Sequence, residues 1–424
     1  MTGTTSAARI AIVGAGIGGC ALGAMLQRIG HDVRLFEQAP AFARVGAGIH
    51  LSPNLMRVMR LLGVHRQALW AGQEPDAFAN RQAADGELLY RLPLGEHAIG
   101  RFGATFVTLK RGDLHAALLG AVAPGTIAWG KRLAGLDPAG DAIRLTFEDG
   151  SSETADLVIG ADGLRSRVRE ALRGFEAPEF SGQVAFRGAY PRALLGELAV
   201  EDLTKWWGDR KFVLSYWLDR ARREFYFAAM TPQAEWPTQA SSMPGDVDEM
   251  QAIFADFHPA VRHMLARAPR ESVMKWALFE RSPQFEFGNE RVVLIGDACH
   301  PMRPFMSQGA AMALEDATIL LRALIGSSNA ASAFSTYAQC RVARLGEVHR
   351  VSAANTFMHG PTEPDWVFGY DALTAHASPA LPPLPVELDW LVGASPLAAR
   401  MQAAATRAVP SHRSPPMPHA PAPY

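Results

Sequence analysis

Only three cysteines, Cys20, Cys299 and Cys340, occur in 424 residues, and none has a partner at the spacing of a metal clamp or a disulfide framework. Zinc-ribbon and disulfide-stapled folds are thereby excluded, and a reduced, cytoplasmic setting is expected. Charge of one sign is also missing: 41 Lys and Arg stand against 42 Asp and Glu, a formal net charge of -1. Without a basic excess there is no nucleic-acid footprint, so the expected partner is a small molecule. No apolar run is as long as a bilayer is thick, and the N-terminus lacks a basic segment leading into an apolar core and a cleavage site, so neither membrane nor export is expected. Internal repeats are absent too. What remains is the composition of an ordinary globular chain, long enough for one large α/β unit carrying an inserted second one.

Glycine, by contrast, is placed with purpose. Three glycine-acid segments occur in order: GAGIGG at 14–19, GADGLRSRVR at 160–169 and GDACHPMRPFMSQG at 296–309. The first follows the apolar run 9–13 and opens a helical pattern through Leu22, Met25 and Leu26, the strand, turn and helix of a dinucleotide site. In that reading Gly14 permits the turn, Gly16 lets the backbone approach a pyrophosphate, and Gly19 lets helix and strand pack closely. A second strand, 32–36, delivers Glu37 where a carboxylate accepts from ribose hydroxyls. A free ribose hydroxyl suits FAD or NAD better than NADP, whose extra phosphate Glu37 would repel. The plain alternative is a tight connection with no ligand.

The fold class expected is α/β: a discontinuous Rossmann-like FAD-binding domain with an inserted β-sheet substrate-binding domain and C-terminal helices. The expected segments are 1–75, 105–180 and 290–325 for the cofactor domain, 76–104 and 181–289 for the substrate layer, 326–407 for a helical region and 408–424 for a disordered tail. Strands are expected over 105–110, 127–136, 142–147, 157–159, 212–217 and 224–229, and helices over 111–122, 310–324 and 331–354. The tail, SHRSPPMPHAPAPY, has too little apolar surface to offset the entropy of ordering it.

The set GxGxxG, Asp162-Gly163-x-x-Ser166-x-x-Arg169 and Gly296-Asp297-x-x-His300-Pro301 resembles the single-component FAD-dependent aromatic hydroxylases of the para-hydroxybenzoate hydroxylase fold. The segments GAGIHLSPN, RGDLHAAL, KWW, LIGDACHPMRP and WVFGYD are similar to the branch that acts on hydroxypyridine carboxylates, with salicylate hydroxylases as cousins. The resemblance covers the chain to about residue 375. It implies a non-covalent FAD, NADH or NADPH as transient co-substrate, O2, and a hydroxylated aromatic or pyridine acid as substrate, in a monomer or homodimer. Carried over by residue, Gly14, Gly16, Gly18 and Gly19 would meet the pyrophosphate, Glu37 and Gln38 the adenosine ribose, and Leu133 the adenine. Arg111 would reach the phosphates, Asp297 the ribityl chain, and Gly309 and Ala310 would aim helix N-terminal amides at the flavin pyrimidine.

His50 follows the loop that would lie on the flavin and is expected to touch the cofactor, and the resemblance makes it the base that deprotonates the substrate hydroxyl, with an imidazole near its ordinary pKa. Tyr216 is the second acid-base candidate, with Ser215 in the competing register, since a one-residue slip reverses the face of a strand. Where the resembled enzymes carry further active-site histidines, this chain has Lys211 and Phe305. Lys211 either holds a substrate carboxylate or is a solvated surface group. Asp162 and Arg169 either touch cofactor or form an ion pair pinning the turn; His300 is expected to organise its turn. Trp206 and Trp207 are expected in the core. The competing function of another class is a non-catalytic FAD-binding redox or ligand sensor.

Overall fold

Strands covered on both faces read as unbroken apolar runs, and Arg9–Val13 is one of them, buried at four of its five positions. In the computed structural model, which describes residues 8–43, 47–238, 240–281, 285–375 and 380–384, it forms the centre of a five-stranded parallel sheet. The order is Val292–Leu294, Leu157–Gly160, Arg9–Val13, Asp32–Glu37 and Ile127–Trp129. The three glycine-acid segments therefore follow three adjacent strands at their carboxyl ends, which is where open parallel sheets hold their ligands. Helix Ile17–Arg28 packs on Gly309–Gly326, and the latter on Ala330–Ala354.

A second sheet of eight strands carries Ser242–Pro244, Met274–Glu280, Glu179–Pro191, Glu224–Pro232, Phe212–Trp217, Leu203–Trp207, Ala77–Gln82 and Leu88–Pro93 in that order. One face, with Phe186, Val213, Phe225 and Phe227, is sealed by helices Val247–Ile253 and Pro259–Ala266. The other, with Phe78, Leu203, Tyr216 and Tyr226, meets Phe106, Met306, Phe357 and Phe368 from the cofactor side and the C-terminal segment. A short pair, Gly48–Leu51 with Val107–Lys110, bridges the two units.

Two expectations need correction. The strand expected over 127–136 breaks at Gly130, whose φ of 71° turns the chain; Ile127–Trp129 joins the parallel sheet while Leu133–Ala139 pairs with Ala142–Phe147. The 13-residue strand Glu179–Pro191 was not expected, because Gly182 and Gly188 interrupt its pattern. At Gly188 a Cβ would stand 2.7 Å from the Phe227 ring, so the glycine serves packing rather than ending the strand. The 408–424 tail lies outside the described residues, as do residues 385–407. Among the described residues no helix is long and apolar enough to cross a membrane, and no His, Cys, Asp and Glu cluster has the makings of a metal site.

Candidate active site

At the carboxyl ends of the parallel strands lies a cavity of about 580 Å³. Gly14, Gly16, Gly18, Glu37, Gln38, Arg111, Leu133, Asp162, Asp297, Gly309 and Ala310 all line it. The turn is built as the sequence suggests. Gly14 has φ 101°, and a Cβ there would stand 2.5 Å from the Ala161 carbonyl oxygen; Gly16 faces open space. Gly19 lets the helix seat closely on the turn as expected, a Cβ there standing 2.0 Å from the Gly14 oxygen, but unlike the other three glycines it does not line the cavity. Glu37 accepts from the main-chain N–H groups of Ala15 and Ala39, both at 2.9 Å, which holds its carboxylate over the glycine turn with lone pairs to spare.

Both helices that open on the cavity lack a side-chain cap. Ile17–Arg28 begins at Gly16 with no acidic residue in its first turn, and the Gln308 side chain before Gly309–Gly326 turns inward to Asn54 and Ser52. Their first N–H groups stay available to an anion or a carbonyl. Across the same space, Arg111 and Asp297 feel one another's charge. Burial lowers the Arg111 pKa, opposed by Asp297, and raises that of Asp297, opposed by His300 and Arg111. Asp297 opens onto the cavity from a wall of protein.

The ion pair expected between Asp162 and Arg169 does not form. Asp162 instead accepts from the Ser166 hydroxyl at 2.5 Å and the Arg167 N–H at 2.7 Å, capping helix Arg167–Arg173 together with Ser166. Arg169 donates to the Cys299 carbonyl and to Glu176, stitching the second segment to the third. His300 organises its turn as expected, with Nε2 2.5 Å from Asp316 Oδ2. Asp316 also accepts from the Gly296 N–H and from Arg341. Burial alone would raise its pKa, but His300 and Arg341 bring it down to about 2. Neighbouring Glu315 takes Arg341, Arg344 and Asn54, and the Ser52–Asn54–Gln308 bonds complete a buried lattice behind His50 and Gly309. This lattice escaped the sequence reading, since its members lie far apart in the chain.

Alternation along Gly48–Leu51 sends Ile49 and His50 to opposite faces. Ile49 lines the cavity; His50 does not, and its ring lies instead among Tyr216 at 4.5 Å, Phe106 at 5.4 Å and Phe78 at 6.0 Å. It is 3 % exposed, and Nε2 has no hydrogen-bond partner. The ordinary imidazole pKa expected for it is not kept: burial, helped by the charge of Lys205, pushes it down to about 3. The histidine is neutral, with Nε2 unbonded.

Of the two register candidates, Tyr216 is the one that faces His50. It shares the His50 side with Phe212 and Leu214, while Ser215 alternates to the other face. Its hydroxyl reaches the Gly48 backbone, where a Cβ would stand 2.4 Å away, and burial raises its pKa well above the ordinary value. Tyr226, 5.0 Å from Tyr216 and hydrogen-bonded to the Gly48 backbone, was missed by the sequence reading.

Lys211 is not at the site. It donates to the Ile253 carbonyl at 2.6 Å and Asp256 at 2.7 Å over the rings of Phe254 and Phe257, on the helix-covered side of the sheet. Phe305 does sit on the cofactor side, 5.6 Å from Phe212 and four residues before Gly309. The two tryptophans part company. Trp206 stacks on His258 among the helices, whereas Trp207 faces the cofactor side, donates to Asn80 and carries Lys205 over its ring.

The cavity thus offers a carboxylate, a glycine turn, a guanidinium and two bare helix N-termini along one path, an arrangement that fits FAD in an extended form. A model of the FAD binding domain family matches residues 7–351. Over 366 residues the chain is 44% identical to 6-hydroxynicotinate 3-monooxygenase of Bordetella bronchiseptica, covering 86% of this chain and 95% of that protein. It is 36% identical over 343 residues to 3-amino-4-hydroxybenzoate 2-monooxygenase of Streptomyces cremeus, covering 81% and 85%. A salicylate hydroxylase in complex with substrate superposes with a TM-score of 0.73 at 25% identity, covering 87% of this chain and 96% of that one. The chain belongs to the FAD binding domain family and is an FAD-dependent aromatic monooxygenase.

Proposed function

We propose that the protein hydroxylates a hydroxylated pyridine or benzene carboxylate, 6-hydroxynicotinate or an isomer of it, at the expense of NAD(P)H and O2. One oxygen atom enters the ring and the other leaves as water, with NAD(P)H supplying two electrons. Bound FAD supplies the electron relay and an electrophilic oxygen. The chain's own residues do the rest. Glu37, Arg111, Asp297 and the two helix N-termini bind and orient the cofactor. His50 takes the proton from the substrate hydroxyl at Nε2, which makes the ring electron-rich enough to be attacked. Phe78, Phe106, Phe212 and Phe305 exclude water from the reacting face.

The observation that carries this reading is His50 itself: buried, neutral, with Nε2 unbonded, its ring centroid 4.5 Å from that of Tyr216, one residue from the cavity-lining Ile49. His31 is also buried with unbonded ring nitrogens, so what sets His50 apart is its place, beside the cavity-lining Ile49 and against Tyr216. Similarity to a relative named for 6-hydroxynicotinate supports a pyridine acid, and similarity to one named for an aminohydroxybenzoate supports a benzene acid. The test is a panel of hydroxypyridine and hydroxybenzoate acids, each scored for accelerated NADH and NADPH oxidation and for product mass. Mass distinguishes gain of an oxygen from replacement of the carboxyl group by hydroxyl. If no hydroxylated acid raises oxidation above background while a carboxyl-free compound does, the substrate reading is wrong.

A further inference from the structure

The chain buries its cations with care, and one breaks the pattern. Arg341 meets Asp316 and Glu315, Lys275 meets Glu249, Arg169 meets Glu176 and the Cys299 carbonyl, and Arg322 donates to four main-chain carbonyls. Lys205 is 3 % exposed, yet its ammonium has a single neutral hydrogen-bond partner, the Asn355 side-chain oxygen at 2.9 Å. Its remaining surroundings are the rings of Trp207 at 3.5 Å and Phe212 at 4.1 Å. No carboxylate pairs with it among the described residues. Charging an amine this deep with two donors unspent is costly, and burial lowers the Lys205 pKa well below the ordinary lysine value; an anionic ligand would use those donors and favour the charged form.

Its place in the sheet says which ligand. Lys205 lies opposite Leu214, and Leu203 opposite Tyr216, so Lys205 and Tyr216 share a face as diagonal neighbours, about 7–8 Å apart. His50 rests on Tyr216, and Phe212 leads to Phe305 at the flavin end. His50, with Nε2 unbonded, and Lys205, with no carboxylate partner among the described residues, thus lie on the same side of the sheet with Tyr216 between them, among aromatic rings.

We propose that Lys205 receives the substrate's carboxylate, fixing the ring with its hydroxyl toward His50 and selecting acids over neutral analogues; this rests on the reading that the substrate is an aromatic acid. Lysine suits the task as a compact ammonium over aromatic faces, with Asn355 orienting one donor. Asn355 closes helix Ala330–Ala354 with φ 49°, a conformation asparagine tolerates, and that geometry sets its side chain over the lysine.

The test uses the full-length, FAD-loaded protein, titrated with 6-hydroxynicotinate and separately with its carboxamide, read by perturbation of flavin absorbance. Wild type is expected to favour the acid. In Lys205→Met the acid should weaken by roughly 10–100-fold, the range of a charged hydrogen bond, while the carboxamide is unchanged and FAD content is kept. Lys205→Arg should retain part of the preference. Asn355→Asp supplies a carboxylate to the lysine from within, and should remove the preference for the acid without removing the lysine. Acid affinity within twofold of wild type in Lys205→Met, or equal loss for acid and carboxamide, would overturn the proposal while leaving the proposed function standing. If none of the hydroxylated pyridine and benzene acids perturbs the wild-type flavin, the reading of the substrate class falls, and this proposal with it.

Discussion

His50 separates what a residue is from what its surroundings make it. An imidazole in water would be half-charged near pH 6.5, but here burial keeps it neutral down to about 3. A neutral histidine is competent to accept a proton, yet its basicity then depends on what binds beside it; an anionic substrate would favour the imidazolium. His50→Ala should keep FAD and substrate binding but lose hydroxylation by about two to four orders of magnitude, the usual contribution of a positioned base. The residual rate should climb with pH as the substrate ionises unaided. A variant with the wild-type rate and pH profile would make His50 structural. At the cofactor end, Glu37→Ala and Asp297→Ala should each weaken FAD retention by about 1.5–3 kcal/mol per charged hydrogen bond, measured by titrating apoprotein with FAD. Retention equal to wild type in both would contradict the cavity assignment. The glycine turn and Glu37 were legible because local spacing alone dictates them. Lys205 and Tyr226 were not, since nothing in a single strand tells which face will meet a cofactor.

Among the elements, the long helix Gly309–Gly326 bears most of the arrangement. Its N-terminus faces the cavity while Glu315 and Asp316, nearly two turns inside, hold Arg341, Arg344, His300 and Asn54. Because the Asp316 pKa falls from 3.8 to about 2 on folding, it contributes stability that is present above pH 4 and lost as pH drops toward 2. Arg341→Met should cost about 3 kcal/mol, because it takes one cation from each of two buried carboxylates that keep Arg344 and Asn54 or His300 and the Gly296 N–H as partners. Urea unfolding of the variant would check this, and a loss under 1 kcal/mol would argue that the lattice is not coupled. The helices over 309–326 and 330–354 were readable from periodicity, but their lattice was not, since it joins residues from 52 to 344. The misread strand at 127–136 has the same origin: Gly130 decides the break, and only the parallel neighbour Asp32–Glu37 shows where Ile127–Trp129 belongs.

For the whole molecule, the order of three glycine-acid segments was enough to foresee the parallel sheet and its ligand edge, because each segment ends a strand. The eight-stranded sheet was foreseen only in part, its strands being joined by pairings far apart in sequence. Folding also neutralises buried histidines: burial lowers His31 to about 4 and His50 to about 3. Both contribute stability that is complete above pH 6.5 and declines as pH falls toward those values, since the unfolded chain takes up protons the fold refuses. The melting temperature should therefore fall from pH 6.5 to 4.5, before the carboxylates titrate; a flat profile there would mean that the two rings are solvated. The central claim is that this fold inserts oxygen into an aromatic acid. Its most direct test is a reaction with NADH or NADPH, 6-hydroxynicotinate or an isomeric acid, and isotopically heavy O2. The account predicts a product carrying one heavy oxygen per NAD(P)H consumed, whereas label-free product, or reducing equivalents recovered wholly as peroxide with every acid, would contradict it.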